Sequence, residues 1–163
     1  MVSYKELHLW DFPTTKIFVK LKKPFRKSII NDFIDLIGSE PKAVSFLNEN
    51  GKKHGFNKKY SRGALYSWMR GTKGSENKTC NLPLWALIEI SKVVSESSKN
   101  NNEVMDEAEK NIIYYCSGAN TRICNPKLPI LITPELISLI FHFFGDGHLS
   151  VKPGVSSSYR QIN

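Results

Sequence analysis

Residues 133 to 147 read Thr-Pro-Glu-Leu-Ile-Ser-Leu-Ile-Phe-His-Phe-Phe-Gly-Asp-Gly, and no other stretch restricts the fold as strongly. Thr133 is a good N-cap, Pro134 suits the first helical position, and Glu135 puts an acid in the first turn, where the helix dipole favours it. Gly145 and Gly147 write a stop on either side of Asp146. Between start and stop only Ser138 and His142, spaced i and i+4, break an otherwise apolar surface. A helix of about 12 residues that is apolar nearly all round is expected to be buried, against other elements or a partner helix. Its burial carries Asp146 inward, where a carboxylate is costly unless a cation or strong donors meet it, and the flanking glycines let backbone or ligand come close. The helix falls short of the roughly 20 apolar residues a bilayer requires, and Pro129, Thr133, Pro134 and Glu135 interrupt the run before it, so no membrane span is expected.

The segment Leu139-Ile140-Phe141-His142-Phe143-Phe144-Gly145-Asp146-Gly147, with the lead-in Leu128 to Leu136, resembles the motif of the LAGLIDADG (DOD-type) homing endonucleases in its Gly-Asp-Gly variant. The resemblance implies two such helices packed side by side, each presenting an acid at its end to divalent metal in a DNA-cutting site. It makes Asp146 the catalytic residue and the Mg2+ ligand, with Leu139, Ile140, Gly145 and Gly147 as motif-helix positions. Phe141 departs from the pattern, standing where a small residue normally lets the paired helices approach closely. By the same resemblance each half of such a domain carries four strands and further helices beyond the motif. Only 16 residues follow Gly147. The chain is therefore expected to be the amino-terminal fragment of such an enzyme, too short to cut on its own, or to pair as a homodimer through the motif helix.

Charge directs attention to the other half. The whole chain carries +8, yet residues 16 to 78 hold 15 Lys and Arg against 5 Asp and Glu, a net of +10, which leaves −2 for the remainder. A basic block with interleaved Trp, Tyr and Phe suits a nucleic-acid phosphate backbone. Within it, residues 16 to 22 alternate as a short strand. A helix over 25 to 37 follows, with Ile29, Ile30, Phe33, Ile34 and Ile37 on one stripe and Gly38 closing it. A second helix is expected from about Pro41 to Asn48, with Gly51 beyond its end, then a basic, mobile loop from Lys52 to Tyr60. The third begins after Ser61 as N-cap and runs to Arg70, with Leu65, Trp68 and Met69 facing inward. The fourth covers Pro83 to Val94. Ser95 to Asn102 reads as a polar linker, Glu103 to Tyr115 as a further helix, and Ser117 to Pro129 as irregular chain.

The helical region from 25 to 95, and within it Leu65, Trp68, Met69, Arg70 and Gly71, resembles the helix-turn-helix of the Cro and phage-repressor type. The connection between its second and third helices, normally three or four residues, is about ten here. The insertion contains Lys52, Lys53, Lys58 and Lys59, which suit a phosphate-gripping arm. The resemblance implies that Arg62, Gly63, Tyr66, Ser67 and Arg70 face the major groove, with Lys58, Lys59 and Lys73 as phosphate contacts.

The expected architecture is mainly α: an N-terminal segment with a short strand (1–24), a helix-turn-helix DNA-binding domain (25–95), a linker with a helix (96–127), and the start of an α+β LAGLIDADG domain (128–163). The leading expectation is a DNA-binding homing endonuclease fragment, a hydrolase using Mg2+ in its complete form, with double-stranded DNA as partner and no membrane. The alternative is a helix-turn-helix transcriptional regulator whose C-terminal helix dimerises it. Cys80, Cys116 and Cys124 are odd in number and form no CxxC pair, and the first residues lack the apolar core of a signal peptide, so a reducing cytoplasm is the simplest setting.

Overall fold

A computed structural model describes residues 4–70, 82–98, 103–117 and 122–145. It is mostly helical, with six strands in two small sheets. The strand expected at 16 to 22 forms as β2 (Phe18–Leu21), whose alternate residues Val19 and Leu21 are fully buried. It lies between β3 (Leu82–Pro83) and β4 (Ile112–Cys116), with β5 (Arg122–Cys124) at the edge, and every pairing in this sheet is antiparallel. The N-terminal segment, the helical region and the stretch read as linker therefore contribute to one sheet.

Helix α1 (Lys23–Ile37) begins two residues earlier than the apolar stripe suggests, because Pro24 sits comfortably in a first turn where its missing N–H costs nothing. It ends at Gly38, whose φ of +92° is a left-handed cap that a side chain would strain. Ile29, Ile30 and Phe33 are buried by this helix, each contributing about 1.5–3 kcal/mol relative to exposure.

The second helix is longer than expected. As α2 (Glu40–Lys53) it runs straight through Gly51, which is an interior position and not a terminator. The reason is tertiary: a Cβ on Gly51 would lie 3.0 Å from the Trp85 ring, so the glycine lets the edge of the indole approach the helix closely. Helix α3 (Arg62–Arg70) matches its expected bounds, and α4 (Leu84–Ser98) continues past Val94, burying Ser91 and Ser95. Helix α5 (Glu103–Lys110) packs on α4 and stops five residues early. Ile112-Ile113-Tyr114-Tyr115 is β-branched and aromatic and pairs with β2, so the sheet takes these residues from the helix.

The core lies between the sheet and α1 to α4, centred on Trp85, Phe33, Leu47, Ile30 and Ile90. At its margin a short 3-10 helix, Leu9–Asp11, is tied to α5 by the buried Glu109 carboxylate. That carboxylate accepts the Leu9 N–H and meets His8 Nδ1, both at 2.8 Å, while the His8 ring stacks on Trp10 with centroids 4.6 Å apart.

A separate pair of strands, β1 (Lys5–Leu7) and β6 (Ile130–Ile132), leads directly into α6 (Pro134–Gly145). The cap is formed as expected, with Thr133 Oγ1 accepting the Leu136 N–H at 3.2 Å and its carbonyl accepting the Ile137 N–H at 3.0 Å. Burial of this helix against the other described elements is not found. Among its described side chains Ile137, Leu139, Ile140 and Phe141 are exposed, Leu139 to 65 % and Phe141 to 73 %. Periodicity shows which faces of a helix are apolar; it does not supply a neighbour to cover them. No helix among the described residues is long and apolar enough to cross a membrane.

Candidate nucleic-acid interface

Helix α3 has two chemically distinct faces. Ser61 precedes it, its carbonyl accepting the N–H groups of Ala64 and Leu65 at 3.0 and 3.3 Å. Leu65, Trp68 and Met69 are no more than 4 % exposed, so the helix is held by its inward stripe. Opposite that stripe Gly63 and Arg70 are exposed and Tyr66 and Ser67 half-buried, and Arg62 is exposed as the first residue of the helix.

The outward face is ordered by its own contacts. Tyr66 donates its hydroxyl to Glu40 Oε1, across from the first turn of α2, and the Arg70 guanidinium lies 5.1 Å from the Tyr66 ring centroid. The hydrogen bond to Glu40 raises the Tyr66 pKa above the usual phenol value, with burial and the Glu40 charge adding to it and Arg70 and Arg62 opposing. Tyr66 therefore keeps its proton and directs it at Glu40. Arg62 and Arg70, one helical repeat of four residues to either side, are the donors this face offers to a ligand.

The connection from α2 to α3 is eight residues, His54 to Ser61, and it is pinned to the core, contrary to the mobile loop expected. Phe56 and Tyr60 turn inward, stacked with centroids 5.5 Å apart, and both rings contact Trp85. Tyr60 also meets Trp68 edge-on at 4.8 Å, so one residue joins the loop to both α3 and α4. Burial pushes the Tyr60 hydroxyl up to about 12. Asn48 completes the attachment, accepting the Tyr60 N–H at 2.7 Å and donating to the Tyr60 carbonyl at 3.0 Å. At the start of the loop His54 stacks against Trp85 and sits 3.2 Å from Glu89 Oε1, which also accepts from Lys92 at 2.8 Å. Burial opposes the Glu89 charge, but the hydrogen bonds from Lys92 and His54 outweigh it and lower the carboxyl pKa. Lys58 and Lys59 are consequently held out in solvent between two fixed points, Phe56 and Tyr60.

The fold thus gathers Lys58, Lys59, Arg62, Gly63, Tyr66, Ser67 and Arg70 on one continuous segment. Lys73, Asp146 and Gly147 lie outside the described residues, and Gly145 closes α6. Leu139 and Ile140 are on α6 and exposed. Among the described residues no three or more His, Cys, Asp or Glu side chains gather into one group.

Glu40 is the side chain on this face that sequence reasoning missed. The second helix was expected from about Pro41, which left Glu40 just outside it; in the structure Glu40 is the first residue of α2. Its contact with Tyr66, 26 residues away, exists only because α2 and α3 pack together. The chain matches no protein-family model, and comparison with curated proteins and with solved structures finds no significant similarity.

Proposed function

We propose that this protein binds double-stranded DNA through the outward face of α3, as a helix-turn-helix module. One observation carries the reading: Arg62, Gly63, Tyr66 and Arg70 share the solvent side of a helix whose other side is locked in the core, directly after a loop that holds Lys58 and Lys59 exposed. The lysines neutralise phosphates without reading sequence, and the arginines donate paired hydrogen bonds to a base edge in the major groove. The pinned loop favours the arm-like use of the insertion, because anchored lysines lose less freedom on binding than those of a floppy segment.

Fluorescence anisotropy of the full chain with labelled duplexes, at 50 to 200 mM salt, tests this. Affinity falls steeply with salt; Arg62→Ala or Arg70→Ala costs about 1–3 kcal/mol on a selected site; Lys58→Ala weakens all duplexes alike and lowers the salt slope by about 1. Absence of binding at low salt, or binding indifferent to salt, overturns it.

Two whole-chain readings use this module. In the first, favoured by the capped α6 that leads to Asp146, the protein belongs with the LAGLIDADG homing endonucleases, and Asp146 is a Mg2+ ligand in phosphodiester hydrolysis. In the second, favoured by the exposed Leu139, Ile140 and Phe141, it is a transcriptional regulator dimerised by α6. Mg2+-dependent duplex cleavage by two paired copies, abolished by Asp146→Asn, supports the nuclease. Two copies bound to a palindrome without cleavage support the regulator.

A further inference from the structure

We propose that Glu40 is a positioning residue for Arg70: by accepting the Tyr66 hydroxyl it fixes the ring on which the Arg70 guanidinium rests, and so aims that guanidinium at the guanine of a G·C pair. The inference rests on the DNA-binding reading and deepens it.

An acid is out of place on a surface meant for phosphates. Glu40 meets the same Tyr66 side chain as Arg70 in the most basic part of the chain, where its charge weakens attraction to any duplex. Its carboxylate accepts a hydrogen bond from the Tyr66 hydroxyl, from α3 to α2, and Arg70 lies over the same ring. The three groups form a chain of contacts that ends in a planar pair of donors. Arginine is long and flexible, and bidentate recognition of guanine O6 and N7 needs its plane set in advance. The ring supplies the plane, and Glu40 stops the ring from turning. Since the Tyr66 proton is committed to Glu40, the hydroxyl is not a donor to bases, which leaves Arg70 as the reading group at this end of α3.

The test uses the full chain, a duplex selected by wild type from a randomised pool, copies of it with each base pair changed in turn, and an unrelated duplex. Arg70→Ala identifies the pair that Arg70 reads. Glu40→Ala is expected to raise affinity for the unrelated duplex about threefold at 0.1 M salt, because a negative charge has left the surface, and to cut discrimination for guanine at that pair fivefold or more. Glu40→Gln, whose amide oxygen still accepts from Tyr66, gives the same rise and keeps the discrimination. Tyr66→Phe loses discrimination with no change on the unrelated duplex. A merely structural role would lower both affinities together. Discrimination equal in wild type, Glu40→Ala and Glu40→Gln, or lost equally in both variants, overturns the proposal while leaving DNA binding intact; no duplex binding by wild type overturns both.

Discussion

A glycine inside a helix costs about 1 kcal/mol relative to alanine, so each one has to be accounted for. Gly51 is required by the Trp85 ring at 3.0 Å, whereas the nearest atom to a Cβ on Gly63 is Ser61 Oγ at an ordinary 3.5 Å. Nothing among the described residues asks for glycine at 63. The proposed interface does, since a bare backbone there lets DNA approach α3 closely. Gly63→Ala is therefore expected to raise stability by about 0.5–1 kcal/mol and to weaken duplex binding, while Gly51→Ala lowers stability by about 1–3 kcal/mol. Thermal melts and anisotropy read the two effects separately. A Gly63→Ala protein that binds DNA as tightly as wild type would remove the argument from close approach. His8 offers a pH test. Burial opposes its protonation, but the hydrogen bond to Glu109 and the charges of Glu109, Asp11 and Asp106 outweigh this and raise its pKa. A raised folded pKa means that the stabilisation is fully present below the ordinary value of about 6.5 and is lost as pH rises through the folded value. Melting temperature followed from pH 5 upward should fall across that window in wild type and less steeply in His8→Gln.

Between residues and fold, the α2–α3 connection shows how an element without regular structure is held. Tyr60 alone contacts Phe56, Trp68 and Trp85, and its backbone is bracketed by the Asn48 amide. Asn48→Ala leaves a half-buried N–H and carbonyl without these partners, at a cost of about 1–2 kcal/mol. The local consequence is more telling than the global one. Trypsin should cut after Lys58 or Lys59 faster in Asn48→Ala than in wild type under native conditions, and equal rates would show that the aromatic contacts suffice.

Across the whole molecule, strands distant in sequence close the fold. β2 pairs with β4, and β1 pairs with β6 at the root of α6, so the helical core is bounded by chain from both ends. What projects from it is an apolar helix. Leu139, Ile140 and Phe141 are 65 %, 46 % and 73 % exposed, a surface that favours association in water. Sedimentation velocity should show concentration-dependent self-association that Leu139→Glu with Phe141→Glu diminishes. A monomer at all concentrations, unchanged by the double substitution, would contradict this.

Local signals determined several helix ends. Gly38 ends α1, Ser61 and the Leu65, Trp68, Met69 stripe delimit α3, and Thr133 with Pro134 starts α6, because caps, φ restrictions and 3.6-residue periodicity act within one or two turns. The outward side of α3 was legible for the same reason: once Leu65, Trp68 and Met69 are inward, helix geometry puts Gly63, Tyr66 and Arg70 on the opposite side. Tertiary structure decided the rest. Gly51 lies within α2 because Trp85 packs against it, Ile112 to Cys116 is a strand because β2 is there to pair with it, and Glu40 meets Tyr66 because two helices cross. Each of these depends on a partner far along the chain, and a local pattern contains no term for a partner that only folding brings near.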